Sequence, residues 1–260
     1  MLSCRKEHPE PKPVPEPVKK VLLKDITIPS LPSPYYHFAY NADSTVAKAS
    51  FADSFTNYEV SYANNRIAEM RNTTLGNHDT LRYVYDQTGK PTTINIFNRS
   101  NGMNRHVFFY YNVNQVKEID WDKQDGKNGF VITRTLKFDY YPDGNVKTQS
   151  EHRPDLDGSP GANTTTLFEQ YDDKINVDDF SLIHAGFSDH LILLQGFRIR
   201  KNNAGKETFT QDGDLNNNIT TNTYTYNSDG TPSAKKQHLL FTAGPLVGRT
   251  FETSTGYTYY

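Results

Sequence analysis

The chain has 260 residues, with 28 Lys plus Arg against 30 Asp plus Glu, a formal charge of -2 and a mean hydropathy of -0.74. So even a balance gives no field to gather a polyanion, which argues against a nucleic-acid partner, and no apolar run approaches the ~20 residues of a spanning helix. The single cysteine, Cys4, excludes an internal disulfide framework or a cysteine-built zinc site, while 17 Tyr and 15 Phe suit half-buried strands.

Residues 1–34 read as a segment apart. Leu2-Ser3-Cys4 resembles the end of a lipoprotein signal, although the leucine stands two rather than three residues before the cysteine. Residues 5–16 are charged and proline-rich, and Pro17, Pro29, Pro32 and Pro34 continue the pattern. Proline fixes φ and removes a donor, so an extended spacer is expected here rather than helix or central strand. This reading makes 1–34 a lipid-attachment cysteine, Cys4, with a proline-rich tether, and 35–260 the folded domain.

From residue 35 a unit recurs: an aromatic-x-aromatic pair, a turn, then an apolar residue opening a return strand. Copies are Phe38-Ala-Tyr40, Val60-Ser-Tyr62, Tyr83-Val-Tyr85, Phe108-Phe-Tyr110, Phe138-Asp-Tyr140 and Tyr224-Thr-Tyr226, with turns such as Asp143-Gly144 and Asp229-Gly230. Alternation along a strand puts Tyr83 and Tyr85 on one face and Arg82 on the other. Each copy is therefore read as a hairpin with one apolar face, anchored by Tyr40, Tyr62, Tyr85, Tyr110 and Tyr140. No hairpin buries such a face alone, so the units must pair edge to edge into a sheet that curls on itself.

Between about 153 and 222 the pattern weakens. Leu167, Phe168 and Tyr171 suggest a degenerate copy. Phe180, Ile183, His184, Phe187, Leu191 and Leu194 follow helical spacing, with Asp178 or Asp179 as N-cap and Gly196 as a stop. A helix near 178–195 would plug or cover one end of the curled sheet. Thr250 onward reads as a last strand.

The hairpin unit resembles the tyrosine-aspartate (YD) repeats of bacterial secreted proteins. The whole, from cysteine through tether to hairpins, is similar to Bacteroidetes lipoproteins that carry a domain of unknown function with a porin-like fold. The resemblance covers roughly 35–152 and 220–245. It implies an envelope location and a curved antiparallel sheet, and it supplies no catalytic residues.

Few constellations point to chemistry. Asp212-Gly-Asp214-Leu-Asn216 alternates oxygen ligands but lacks the glycine and the bidentate glutamate of a calcium loop, so it reads as a polar turn. No histidine pair has metal-ligand spacing, and no nucleophile motif occurs. Trp121, the only tryptophan, stands between Asp120 and Asp122. An exposed tryptophan with carboxylates beside it is a sugar-stacking platform, although a lone tryptophan in a β-protein more often packs in a core.

The sequence thus predicts an all-β protein, a long twisted antiparallel meander of repeated hairpins, curled or barrel-like, with one short inserted helix. Its expected role is that of a non-catalytic lipoprotein of the cell envelope, without cofactors. It would be membrane-held through Cys4 and would bind an unidentified protein or glycan, with Trp121, Asp120 and Asp122 as candidate ligand-binding residues. A carbohydrate-active module is the alternative. An integral outer-membrane barrel is disfavoured by short copies and by Lys48, Glu69, Lys117 and Lys147 on the return strands.

Overall fold

The computed structural model describes residues 21–76, 79–98, 104–125, 129–156, 158, 160–179, 192 and 199–260. Among these, sixteen strands run in chain order: β1 (Leu23–Thr27), β2 (Tyr36–Tyr40), β3 (Val46–Phe51), β4 (Thr56–Ala63), β5 (Arg66–Asn72), β6 (Thr80–Tyr85), β7 (Pro91–Phe97), β8 (Asn104–Asn112), β9 (Gln115–Gln124), β10 (Phe130–Tyr140), β11 (Val146–Arg153), β12 (Ala162–Tyr171), β13 (Ala204–Gln211), β14 (Asn218–Tyr226), β15 (Pro232–Phe241) and β16 (Thr250–Tyr259). Each pairs with its successor and β16 pairs with β1, closing a barrel. The expected curled meander is therefore a closed one, and closure removes the open edges that hairpins would otherwise present.

Two boundaries differ from expectation. The tether drawn over 1–34 overlaps the barrel, because Leu23–Thr27 form β1, between β16 and β2. The prolines mislead there, since Leu23 and Ile26 are core residues lying between the proline clusters. Cys4 lies outside the described residues. So do 180–191 and 193–198, and with them nearly all of the predicted helix. The second boundary is in β8, where the anchoring aromatic is Tyr111 rather than Tyr110. Phe109 is buried, whereas Tyr110 lies on the outer face and is exposed.

The repeat has a shared mechanism at its turn end. Tyr40, Tyr62, Tyr85, Tyr111 and Tyr140 each sit at a register shift beside the turn. The extra residue belongs to the return strand, so two inward positions there fall three apart rather than two. They are Val46 and Ala49, Ile67 and Met70, Val116 and Ile119, all buried. Each tyrosine hydroxyl then reaches back to a carbonyl at the start of the previous hairpin's return strand. Tyr40 donates to Leu23, Tyr62 to Val46, Tyr85 to Ile67, Tyr111 to Pro91, Tyr140 to Val116, Tyr171 to Val146 and Tyr259 to Pro232, all at 2.7 to 2.9 Å. These bonds tie each hairpin to the adjacent strand of the one before it, around one rim.

The inner wall is mostly apolar along β2 to β10, with Tyr36, Phe38, Tyr58, Met70, Leu81, Ile94, Ile96, Val107, Ile119, Leu136 and Phe138 buried, and Arg105, Lys123 and Arg134 interrupt it toward the end away from the tyrosines. Along β12 to β16 it becomes polar, through Thr164, Thr166, Thr220, Asn222, Gln237 and Thr255. Alternation still holds, but the inward set has changed character.

Candidate functional site: outer wall, insert and mouth

The outward residues decide what medium the barrel stands in. Mid-strand, Glu59 joins Lys48 (3.7 Å) and Arg71 (2.7 Å), Glu69 joins Arg82 (3.0 Å), Glu118 joins Lys137 (3.5 Å) and Glu169 joins Lys206 (2.9 Å). Asp25 with His37 and Asp122 with His106 continue the series. A barrel that meets lipid carries an apolar outer band about 25 Å tall, and charges at its middle cost about 2–4 kcal/mol each. Strand length varies from 5 residues in β1 and β2 to 11 in β10, so the shorter strands fall below the 9 to 11 residues of a spanning strand, as the short copies implied. The charge is a further obstacle to a lipid-facing band.

The connection from β12 to β13 spans residues 172–203, and among its described residues Ile192 lies inside the barrel. Its described parts are largely buried, with Ile192 and Ile199 in the core. The Ile192 carbonyl accepts from the Tyr83 hydroxyl (3.1 Å) across the lumen. Its two ends are pinned at the tyrosine rim. Asn202 exchanges hydrogen bonds with Asn145 in the β10–β11 turn (2.9 and 3.1 Å), and Asn203 and Tyr226 both donate to Asp172. Tyr226 thereby departs from its sister tyrosines, donating to a carboxylate of the insert rather than to a strand carbonyl.

Inside, four charged side chains meet. Asp178 contacts Arg200 (3.2 Å) and Lys235 (3.4 Å) and accepts from the Tyr257 hydroxyl (2.9 Å). Asp179 accepts from the backbone N–H groups of Ile199 (3.2 Å) and Arg200 (3.0 Å) and approaches the Arg200 side chain. Burial by itself would raise the Asp178 carboxyl, but Lys235 and Arg200 outweigh it and hold the group down at about 2. For Asp179 burial wins. Its share of the Arg200 charge does not compensate, Asp178 repels it, and the carboxyl is pushed up to about 6. The two aspartates expected to cap a helix thus spend their carboxylates on this cluster.

The sequence held a signal for the cluster that residue-by-residue reading missed. Lys235 stands three residues after Pro232, the inward position filled by Ala49, Met70, Ile94 and Ile119 in other hairpins. A lysine on the core face of a repeat requires a buried counter-charge.

The candidates around Trp121 are divided between the two faces of β9. Trp121 points into the lumen, where the Arg134 guanidinium lies 4.7 Å from its ring centroid. Arg134 also pairs with Glu151 at 2.9 Å, and Arg153 joins that carboxylate. Asp120 and Asp122 are on the outer wall. The first accepts from the Thr135 hydroxyl (2.6 Å), and the second accepts from the His106 backbone N–H (2.8 Å) and meets its ring (3.0 Å). The tryptophan and the two carboxylates that flank it in sequence therefore lie on opposite faces of β9. The acidic turn Asp212–Asp214 is hydrogen-bonded to Asn163 and Asn217, and no metal-sized group of acids and histidines occurs among the described residues.

No protein-family model matches the chain, and no curated protein is significantly similar to it. Among solved structures, a porin-like protein from Bacteroides uniformis superposes with a TM-score of 0.58 at 16% identity, covering 86% of this chain and 89% of that one. A porin-like protein from Bacteroides vulgatus gives 0.60 at 11% identity, over 92% and 99%. At such identities the likeness is one of fold.

Proposed function

We propose that this chain is a non-catalytic protein of the cell envelope: a barrel standing in water, held to a membrane by a lipid on Cys4, that binds a partner or small ligand at its mouth. The observation that carries this reading is the outer wall, whose ion pairs leave no band for hydrocarbon. The insert supports it further, since a lumen that holds the buried Asp178, Asp179, Ile192, Ile199 and Arg200 is not built as an open pore. The porin-like fold of the two Bacteroides proteins favours an envelope setting. Against catalysis, Asp120 and Asp122 are each committed to a hydrogen-bonding partner.

Polarity of the barrel gives the proposal a direction. β1 starts at the tyrosine rim, and Tyr260 donates its backbone N–H to the Leu22 carbonyl there (3.1 Å). A tether ending at Leu22 would leave the long-loop mouth, between strands such as β11 and β12, facing away from the membrane.

The test is expression with the native upstream region, followed by fractionation, fatty-acid labelling and planar-bilayer recording. Label on Cys4, release of Cys4→Ala into the soluble fraction and absence of conductance are the expected results. Retention of the unlabelled Cys4→Ala barrel in alkali-washed membranes, with stepwise conductance, would overturn the reading.

A further inference from the structure

We propose that the inner wall of β8 to β11 is a binding site for a small carboxylate ligand, centred on Trp121 and Arg134. This rests on the reading of the barrel as a water-borne binding protein and names the chemistry of what enters it.

The first observation is an unused donor. The Trp121 indole N–H is buried and has no hydrogen-bond acceptor in the structure, although the residue is only 5% exposed. Buried donors are nearly always satisfied, and leaving one unmade costs on the order of 1–3 kcal/mol. A group that accepts hydrogen bonds is what this position lacks.

The second observation is the composition of the wall around it. Arg105, Trp121, Lys123, Arg134 and Arg153 all alternate with outward residues onto the lumen side, and every one of them is a donor only. Acceptors beside them include Glu151, shared by Arg134 and Arg153, and Asp79, which Arg105 meets at 3.3 Å. The outer face of β9 carries the opposite set, Glu118, Asp120 and Asp122. All three acids of this strand thus face outward, with Lys117 beside them, while its indole and Lys123 face inward. A sheet needs an inner and an outer face to fold, but it does not need its acids confined to one of them.

The third observation is a gradient of exposure. Side-chain exposure falls from 50% at Arg153 and 29% at Arg105, near the mouth, to 13% at Glu151 and 8% at Arg134. A carboxylate entering here meets guanidinium groups first and the indole N–H last. The planar, forked guanidinium suits carboxylate oxygens, and the Arg134 group stacked on the Trp121 ring holds its donors in place.

Trp121 is the only tryptophan, so its fluorescence reports this wall alone. Titration of the folded full chain with D-glucuronate, trigalacturonate and benzoate should give a saturable spectral shift with at least one of them and none with glucose or sulfate. Isothermal calorimetry with that carboxylate should show at least fivefold weaker binding to Trp121→Phe, which keeps the packing and deletes the N–H. Binding to Arg134→Lys should weaken at least tenfold, with melting curves confirming that both variants are folded. Asp120→Asn, on the outer face of the same strand, should bind as wild type. No saturable shift with any carboxylate, an equal shift with glucose or sulfate, or unchanged affinity in Trp121→Phe would overturn the site. A chain that is lipidated and conducts no ions, yet binds none of these probes, refutes the site and leaves the envelope reading standing.

Discussion

The Tyr111 hydroxyl donates to the Pro91 carbonyl at 2.9 Å, on the adjacent strand β7, while its neighbour Tyr110 points to solvent. That contrast fixes the register of β8. A net protein hydrogen bond is worth about 1 kcal/mol, so Tyr111→Phe should lower unfolding free energy by about that amount in urea melts. Tyr110→Phe, on the exposed outer face, should cost well under ~0.5 kcal/mol. Equal effects would mean that the register is wrong.

The turns repeat as closely as the tyrosines. Ser44, Gly89, Gly144 and Gly230 occupy one position, each donating its N–H to the carbonyl three residues earlier (2.9 to 3.1 Å) with φ between 64 and 90°. Left-handed backbone costs a residue with a Cβ roughly 1 kcal/mol. Gly144→Ala should therefore destabilise by about 1 kcal/mol, and Ser44→Gly should stabilise by roughly 0.5 kcal/mol after the extra unfolded-state entropy of glycine is counted. Thermal melts showing the same sign for both changes would contradict the equivalence.

Much of this was legible in the sequence because the hairpin is a local unit. Turn chemistry and aromatic alternation at Tyr83, Tyr85, Phe138 and Tyr140 need only a few neighbouring residues to be read. The misread register at Tyr110 arises where that signal is degenerate, since Phe108-Phe109-Tyr110-Tyr111 offers an aromatic to both faces. Closure of the barrel was beyond reach for a different reason: β1 meets β16 through pairs such as Ile26 with Tyr257, which no local pattern links. The separation of Trp121 from Asp120 and Asp122, by contrast, follows from the same alternation that divides Tyr83 from Arg82. Sequence proximity was given weight there that strand geometry does not support.

The buried carboxyls make stability depend on pH in two directions. Asp179, raised to about 6, binds its proton more tightly folded than unfolded. Its contribution is therefore full below about pH 4, near the unfolded value, and is lost as pH rises through about 6. Asp178, lowered to about 2, contributes above about pH 4 and loses that contribution as pH falls through about 2. Between pH 5 and pH 8 the Asp179 effect should remove roughly 1 kcal/mol from the wild type. Asp179→Asn, which keeps a side-chain acceptor for the Ile199 and Arg200 N–H groups, should lack that loss. Urea melts of both proteins at the two pH values decide it, and parallel behaviour would mean that Asp179 is ionised throughout.

Arg200 is the group on which the insert depends most. It is 3% exposed, touches both Asp178 and Asp179, and faces the Phe168 ring at 6.0 Å from the centroid. Removing one partner of a buried ion pair typically costs about 3–5 kcal/mol because the remaining charge is left uncompensated. Arg200→Met should therefore destabilise by about that much at pH 8, and by less at pH 5, where Asp179 takes up a proton. Lys235 still neutralises Asp178, so a further change of Asp179 alone should recover much of the loss: Arg200→Met with Asp179→Asn is expected to be more stable than Arg200→Met by about 2 kcal/mol at pH 8. Lys235→Met in the wild-type background, which restores the apolar character shared by Ala49, Met70, Ile94 and Ile119, should cost less than Arg200→Met because Arg200 and Tyr257 still hold Asp178. If instead the Arg200→Met loss is below ~1 kcal/mol and independent of pH, the cluster does not hold the insert, and packing of Ile192 and Ile199 against the apolar wall must do so.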